Sequence, residues 1–243
     1  MAELPEWQPL SEVPTPVADN GGIGRIVALL ASEQAVAEGW ASSSALALAR
    51  SWSAAGTRVI LVDGVLHDPS LHQEAGLPNR VGLSDVALHG ASIDHVTQSI
   101  DDGALFLVSA GTPVADPEGV ARSPRWHRVT TGMCDAGVVM ALLLRDGEQV
   151  TSAFLGSASD IVVLAAPGDA TPPSVRDFEP LVCAVTGPES VGPNRGTGRS
   201  PSPEVGVQSQ SPSTGEVRGK GRLVAIALVL LAAVLALAFL VIG

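Results

Sequence analysis

The stretch "RIVALLASEQAVAEGWASSSALALARSWSAAGTRVILVD", residues 25–63, contains the pattern that decides the fold. It begins and ends with continuous apolar runs, at 25–32 and 58–63, and strands buried on both faces of a sheet have such runs. Between them Ala and Leu recur at helical spacing, and Gly56 follows where helices commonly end. The stretch is therefore predicted to form a strand, a loop, a helix and a second, parallel strand.

The same alternation continues toward the C-terminus and extends this unit into an α/β domain. Four further apolar runs predict strands: "ALFLVSA" (104–110), "GVVMALLL" (137–144), "DIVVLAA" (160–166) and "LVCAVTG" (181–187). Helix-compatible segments separate them, which is typical of a doubly wound, mainly parallel sheet. We expect one domain over residues 25–187, preceded by an N-terminal extension, residues 1–24.

The C-terminal part of the chain is predicted to attach it to a membrane. Residues 223–242, "LVAIALVLLAAVLALAFLVI", are all apolar, and a helix of twenty residues rises roughly 30 Å, the thickness of bilayer hydrocarbon. The preceding segment, 188–222, is rich in Gly, Pro and Ser and is predicted to be a disordered linker. The span is flanked on this side by Arg218, Lys220 and Arg222. The positive-inside rule therefore predicts a single-pass, tail-anchored protein of the bacterial cytoplasmic membrane, with its globular domain in the cytoplasm.

Composition excludes some classes of function. Residues 1–190 contain nine arginines and no lysine against 23 acidic residues, a net charge of −14, so nucleic acid is not an expected partner. The whole chain has one lysine, Lys220, and no tyrosine, so the domain has neither a catalytic lysine nor a tyrosine phosphate acceptor. Cys134 and Cys183 lack metal-ligand spacing and are predicted to be buried free thiols. The segment "SIDDG", 99–103, is predicted to be a solvated turn.

Three segments between residues 58 and 120 carry a resemblance to a known family. They are "ILVDGVLHDPSLH" (60–72), "GLPNRVGLSDVALHG" (76–90) and "LVSAGTPVADPE" (107–118). In this order and spacing they resemble the bacterial tyrosine kinases of capsule and exopolysaccharide assembly, a branch of the MinD/ParA-type P-loop ATPases. The resemblance covers residues 25–187 and implies the fold of a P-loop NTPase.

The phosphate loop of that family would fall on "AVAEGWAS", residues 35–42. Such a loop binds phosphates through backbone N–H groups and a lysine, and a Ser or Thr hydroxyl holds Mg²⁺. Gly39 is retained, Trp40 replaces the lysine, Ala41 replaces the hydroxyl residue, and Ser42 comes one residue late. We expect Trp40 to pack into the vacated pocket.

The metal-binding motifs of the family are also altered. Asp63 is present, but Val65 occupies the place of the second carboxylate. The third motif would fall on Met140 or its neighbours, with Asp146 about six residues further on. The resemblance therefore implies a degenerate site, Gly39, Trp40, Ala41, Ser42 and Asp63, that has lost ATP and Mg²⁺ and has no catalytic residues. No cofactor is expected.

These observations predict a catalytically inactive, membrane-anchored pseudo-ATPase or pseudokinase that acts as a binding or regulatory partner in polysaccharide assembly or export. The resemblance implies a membrane-embedded protein partner and is compatible with a homo-oligomer. Two alternatives stay open: a weak nucleotide-binding switch of the MinD/ParA type without kinase activity, and a structural membrane protein unrelated to polysaccharide.

Overall fold

The computed structural model describes residues 4–16, 22–101 and 105–188, and within them eight strands form one sheet. The strands are β1 (Trp7–Pro9), β2 (Ile26–Ala31), β3 (Val59–Asp63), β4 (Thr97–Ile100), β5 (Leu105–Val108), β6 (Val139–Arg145), β7 (Asp160–Leu164) and β8 (Val182–Gly187). Their order is β1-β8-β7-β2-β6-β3-β5-β4, and every pair is parallel except the β4–β5 pair. The predicted mainly parallel α/β sheet is confirmed, and all six predicted strands are present.

Helices cover both faces of the sheet. They are α1 (Glu33–Ala37), α2 (Ala41–Ala54), α3 (Leu71–Glu74), α4 (Ile93–Val96), α5 (Pro117–Ala121), α6 (Pro124–Asp135) and α7 (Gln149–Leu155), with a π-helical turn at Asp85–His89. Short 3-10 turns lie at Leu10–Glu12, Pro173–Val175 and Glu179–Leu181. Alternate residues of β2 belong to two separate apolar clusters, one containing Phe154 and Trp126 and the other Trp52. The sheet is therefore buried on both sides, as its uninterrupted apolar runs predict.

The two edge strands were not predicted. β1 comes from the N-terminal extension and pairs with β8, and the Trp7 indole N–H donates to the Ala165 carbonyl at 3.0 Å. β4 contains Ser99 and Ile100, so the prediction of a solvated turn beginning at residue 99 is wrong, and Ile100 is buried. Both strands are only three or four residues long and contain no apolar run, which an edge strand does not need.

The two cysteines are free, but they are not buried as predicted. Cys134 is partly exposed near the end of α6, and Cys183 is exposed in β8. Side chains of a strand alternate between the two faces of the sheet, and near this edge the face that carries Cys183 is left open to solvent.

The predicted anchor lies outside the described residues. The span 223–242, the basic residues Arg218, Lys220 and Arg222, and nearly all of the linker 188–222 are in this part of the chain. Within the described ranges, no helix has both the length and the apolar character needed to cross a bilayer.

Candidate functional site

The candidate site lies where three central strands end. Ala31 at the end of β2 is in register with Arg145 at the end of β6, and Asp63 at the end of β3 pairs with Leu143 of β6. In open α/β sheets, ligands bind outside the carboxyl ends of the strands. The segment predicted as the degenerate phosphate loop follows β2 at this edge.

This segment is folded into a helix instead of an open loop. Ser32 caps α1, because its hydroxyl accepts the Ala35 N–H at 3.1 Å. The N–H of Glu38 donates to the Gln34 carbonyl at 2.9 Å. At the turn between α1 and α2, the Gly39 N–H donates to Val36 at 3.0 Å and the Trp40 N–H to Ala35 at 3.2 Å. Backbone donors that a phosphate loop would direct at its ligand are thus hydrogen-bonded within the chain.

Gly39, Trp40, Ala41 and Ser42 lie together at the turn into α2. Gly39 adopts a positive φ of 79°, which is the conformation that a glycine tolerates best. Trp40 is partly buried against the apolar cluster on the α2 side of the sheet, and its indole N–H donates to the Glu38 carboxylate at 3.0 Å. The Trp40 side chain therefore packs against the domain at the position of the missing lysine.

The start of α2 keeps one polar feature. Ala41 and Ser42 are both buried, and the Ser42 and Ser70 hydroxyl oxygens are 2.6 Å apart. The N-cap residue, Trp40, makes no side-chain hydrogen bond to the first turn. An uncapped N-terminus of a long helix is the one element of the segment that is suited to an anion.

Asp63 has a structural role at the end of β3. It is fully buried, and its two carboxylate oxygens accept the N–H groups of Val65 and Leu71, each at 3.2 Å. Burial raises the pKa of Asp63 to about 7, although these backbone hydrogen bonds act in the opposite direction. The side chain holds the loop after β3 to the first residue of α3.

The predicted position of the third motif is wrong. Met140 is fully buried and pairs with Ile26 and Ile60, far from the strand ends at which a metal motif belongs. The strand extends to Arg145, and Asp146 follows it directly. The Asp146 N–H donates to the Ala31 carbonyl at 2.9 Å, which places Asp146 beside the phosphate-loop segment. An apolar run followed by "RDG" is the sequence signal that could have located it.

Asp146 is also occupied within the protein. It is buried, and its carboxylate accepts the Ser174 N–H at 3.1 Å. Within the described residues, no group of three or more His, Cys, Asp and Glu side chains is arranged to hold a metal ion.

An acidic cleft, which the sequence did not predict, lies beyond the ends of β3, β5 and β6. It has a volume of about 310 Å³, and its ionisable lining consists of His67, Asp116, Glu118 and Glu148. Burial raises the pKa of Glu148, and its charge in turn raises the pKa of Asp63. One carboxylate oxygen of Glu148 is buried and accepts no hydrogen bond from a described residue. Glu118 is paired with Arg122, and the two other carboxylates of the cleft, Asp116 and Glu148, disfavour the phosphates of a nucleotide.

Two of the segments that carry the family resemblance are joined by a buried carboxylate. Asp85 accepts the N–H groups of Gly82 at 2.9 Å and Thr112 at 3.1 Å, and the Thr112 hydroxyl at 2.7 Å. Burial by itself would raise the pKa of Asp85, but the hydrogen bonds from Thr112 and Gly82 hold it below its ordinary value. A Cβ atom at Gly82 would collide with the Ser109 carbonyl, so the close approach of the two segments needs glycine. Asp85 and Gly82 therefore have structural roles, because they hold the two segments together.

Comparisons with known proteins give the fold but no family assignment. No family model matches the chain, and the comparison with curated proteins gives no match. The chain is similar to the crystal structure of the chimerical protein CapA2B2, with 19% identity, a TM-score of 0.58, and coverage of 71% of this chain and 79% of the other. It is similar to the kinase domain of the Escherichia coli tyrosine kinase ETK, with 16% identity, a TM-score of 0.58, and coverage of 76% and 74%.

A third similar structure has a different activity. It is cobyrinic acid a,c-diamide synthase from Mycobacterium smegmatis, with a bound ATP analogue and magnesium, at 18% identity, a TM-score of 0.50, and coverage of 68% and 72%. The structure thus has the P-loop NTPase type of fold, and it resembles the kinase branch that its sequence segments indicate.

Proposed function

We propose that this protein is a catalytically inactive, membrane-anchored member of the P-loop fold class that acts as a binding or regulatory partner in bacterial exopolysaccharide or capsule assembly or export. The observation that carries the proposal is the closed phosphate-loop segment. The N–H groups of Ala35, Val36, Glu38, Gly39 and Trp40 are bonded within α1 and the following turn, and Trp40 packs at the position where the resemblance places a lysine.

The energetics of phosphate binding support inactivity. A hydrogen bond to a charged group contributes about 1.5–3 kcal/mol, so the lost lysine alone weakens phosphate binding roughly ten- to a hundred-fold. The acidic cleft at the same edge of the sheet adds repulsion. Phosphoryl transfer depends almost entirely on electrostatic positioning, so it is more sensitive to these losses than binding is.

The remaining carboxylates also support catalytic inactivity. Mg²⁺ requires oxygen ligands in near-octahedral geometry. The carboxylate of Asp63 is bonded to Val65 and Leu71, and that of Asp146 to Ser174, so both face into the protein's own backbone. ATP and Mg²⁺ are therefore not among the ligands that we propose.

The assignment to polysaccharide assembly comes from the likeness to the tyrosine kinase domains together with the sequence segments that resemble them. The predicted anchor would attach the domain to the membrane directly. We propose a membrane-embedded protein of the assembly system as its partner.

A titration tests inactivity. Purified full-length protein is titrated with fluorescent ATP in the presence of Mg²⁺, with an active kinase domain of the same fold as the positive control. We expect no saturable binding in the micromolar range. Saturable micromolar binding would refute the pseudoenzyme and favour the nucleotide-binding switch, to which the uncapped N-terminus of α2 and the Ser42 hydroxyl are suited.

A genetic experiment tests the pathway. The gene is deleted in its source bacterium, and surface polysaccharide is measured by amount and by chain length. We expect a defect in surface polysaccharide that the intact gene corrects. If no nucleotide is needed, a gene with Trp40→Ala, which removes the side chain packed in the degenerate site, corrects the defect as well. Unchanged polysaccharide would favour a structural membrane protein unrelated to polysaccharide.

A further inference from the structure

A basic groove lies between the π-helical turn at Asp85–His89 and the start of α6. Its volume is about 600 Å³, and its lining includes Arg122, Arg125 and Arg128 together with Leu88 and Pro124. Arg122 follows α5 directly, and Arg125 and Arg128 are three residues apart on α6, a spacing that places them on one face of the helix. These five residues are called the arginine groove below.

The arginine groove contrasts with the charge of its surroundings. It holds three of the nine arginines of residues 1–190, in which 23 residues are acidic, and residues 119–134 contain no acidic residue at all. Arg122 pairs with Glu118 at 2.6 Å but remains 69% exposed. Arg128 is exposed and forms no ion pair with another described residue. This face can therefore approach a negatively charged surface that repels the rest of the domain.

The groove also has an apolar component and a fixed shape. Leu88 is one of only two large apolar side chains that are exposed in the described part of the chain. The Ser123 hydroxyl donates to the Ala87 carbonyl at 2.7 Å, and Arg125 donates to the Leu88 carbonyl at 3.1 Å. Trp126, buried in the core, holds α6 from beneath. The cations and Leu88 are therefore presented together without a rearrangement.

We propose that the arginine groove docks on the anionic lipid headgroups of the membrane to which the chain is anchored and so orients the domain on the bilayer. The inference rests on the membrane attachment proposed above. Arginine forms paired hydrogen bonds with phosphate, and an apolar side chain beside such cations can enter the headgroup layer. Arg122 and Arg128 are exposed at the surface of the domain, where they can reach an extended array of phosphates.

The predicted anchor makes such docking effective. Attachment of the chain to the bilayer turns docking into an intramolecular step, so even a weak contact between the groove and the headgroups suffices. Each arginine near an anionic surface strengthens the association by about five-fold at low salt, and added salt screens the effect.

Arginine modification tests the docked state in the full-length chain. The protein is placed in nanodiscs of phosphatidylcholine, with or without phosphatidylglycerol, and the rate of phenylglyoxal modification is measured at each arginine by mass spectrometry. We expect phosphatidylglycerol to slow modification of Arg122 and Arg128 several-fold at low salt, and high salt to reverse this. Arg80 and Arg176, which are exposed elsewhere, should keep their rates. Equal rates at Arg122 and Arg128 in both lipids would overturn the proposal.

Flotation separates failure of the groove from failure of the anchor. An anchored chain floats with phosphatidylcholine vesicles at high salt, whatever the groove does. If the native chain does not float under these conditions, the groove is tested without the anchor, by flotation with phosphatidylglycerol vesicles at low salt. This flotation should be lost in Arg122→Gln/Arg128→Gln and kept in the matched control Arg80→Gln/Arg176→Gln. No flotation of the native chain, or equal flotation of both variants, would overturn the proposal. If a polyglutamate peptide protects the groove arginines from phenylglyoxal as strongly as phosphatidylglycerol does, the partner of the groove is an acidic protein instead.

Discussion

Replacing Trp40 by lysine supplies the cation that the resemblance places in the phosphate loop, yet we expect the variant neither to bind Mg²⁺-ATP tightly nor to hydrolyse ATP. For phosphates to be bound, the N–H groups of Ala35, Val36, Glu38, Gly39 and Trp40 would have to leave their present acceptors. At about 1 kcal/mol net for each hydrogen bond, opening the segment costs about 5 kcal/mol, or a factor of between 10³ and 10⁴ in affinity. The new lysine would recover only about 1.5–3 kcal/mol.

The assay is ATP hydrolysis and fluorescent ATP binding with Mg²⁺ for the native chain, Trp40→Lys, and the control Trp40→Phe. The control keeps an aromatic side chain against the core without a charge, and it separates the effect of the cation from that of lost packing. We expect Trp40→Lys to be less stable by about 1–2 kcal/mol, because a partly buried indole is replaced by an ammonium group. Measurable Mg²⁺-dependent turnover in Trp40→Lys, absent from Trp40→Phe, would show that the segment opens readily and would refute the reasoning.

Other predictions concern stability and attachment. Because the folded pKa of Asp63 is raised to about 7 from 3.8, the folded state binds the proton more tightly than the unfolded state. The free energy of unfolding should therefore fall as pH rises from about 4 to 7, by up to about 4 kcal/mol, and denaturant titrations should show a weaker dependence in Asp63→Asn. Asp85→Ala removes the acceptor of three hydrogen bonds and should lower the free energy of unfolding by about 3 kcal/mol, whereas Asp94→Ala on the surface should change it by less than about 0.5 kcal/mol. Removing residues 223–243 should release a soluble domain from cell membranes after a high-salt wash, and a truncated protein that still pellets would contradict the tail anchor.

The sequence predicts the central strands well because each is buried on both faces. For β2 and β3 the apolar runs locate the strand to within one residue at each end. The same criterion misses β1 and β4, because both are short edge strands without an apolar run, and β1 in addition pairs with β8, which is distant in sequence. Local composition does not indicate such contacts between distant segments.

The site was less predictable, since its parts come from different strand ends. Matching the family's motif to the residues after "CDAG" (134–137) put the third motif at Met140. The turn at Ala136–Gly137 delays the start of β6, and only its pairing with β2 shows that the strand ends beside Asp146. The replacement of the lysine by Trp40 can be read directly from the sequence. The formation of α1 cannot, because a helix of five residues is decided by its surroundings more than by its propensity.

The residues that still match the family pattern have packing roles in this structure. The residues that are replaced would have served only to bind a nucleotide or a metal ion. Asp63 anchors two backbone N–H groups, Asp85 joins two segments, and Gly82 permits their close approach. Gly64 behaves likewise, because a Cβ atom there would come within 2.7 Å of the Leu143 carbonyl between β3 and β6. By contrast, Trp40 and Ala41 occupy positions where a lysine and a hydroxyl would have had only a nucleotide and a metal ion to bind, and both now pack against the core. This division of roles supports the proposed binding scaffold, because the structural carboxylates and glycines are present while a helix and an indole fill the segment in which the resemblance places a phosphate loop.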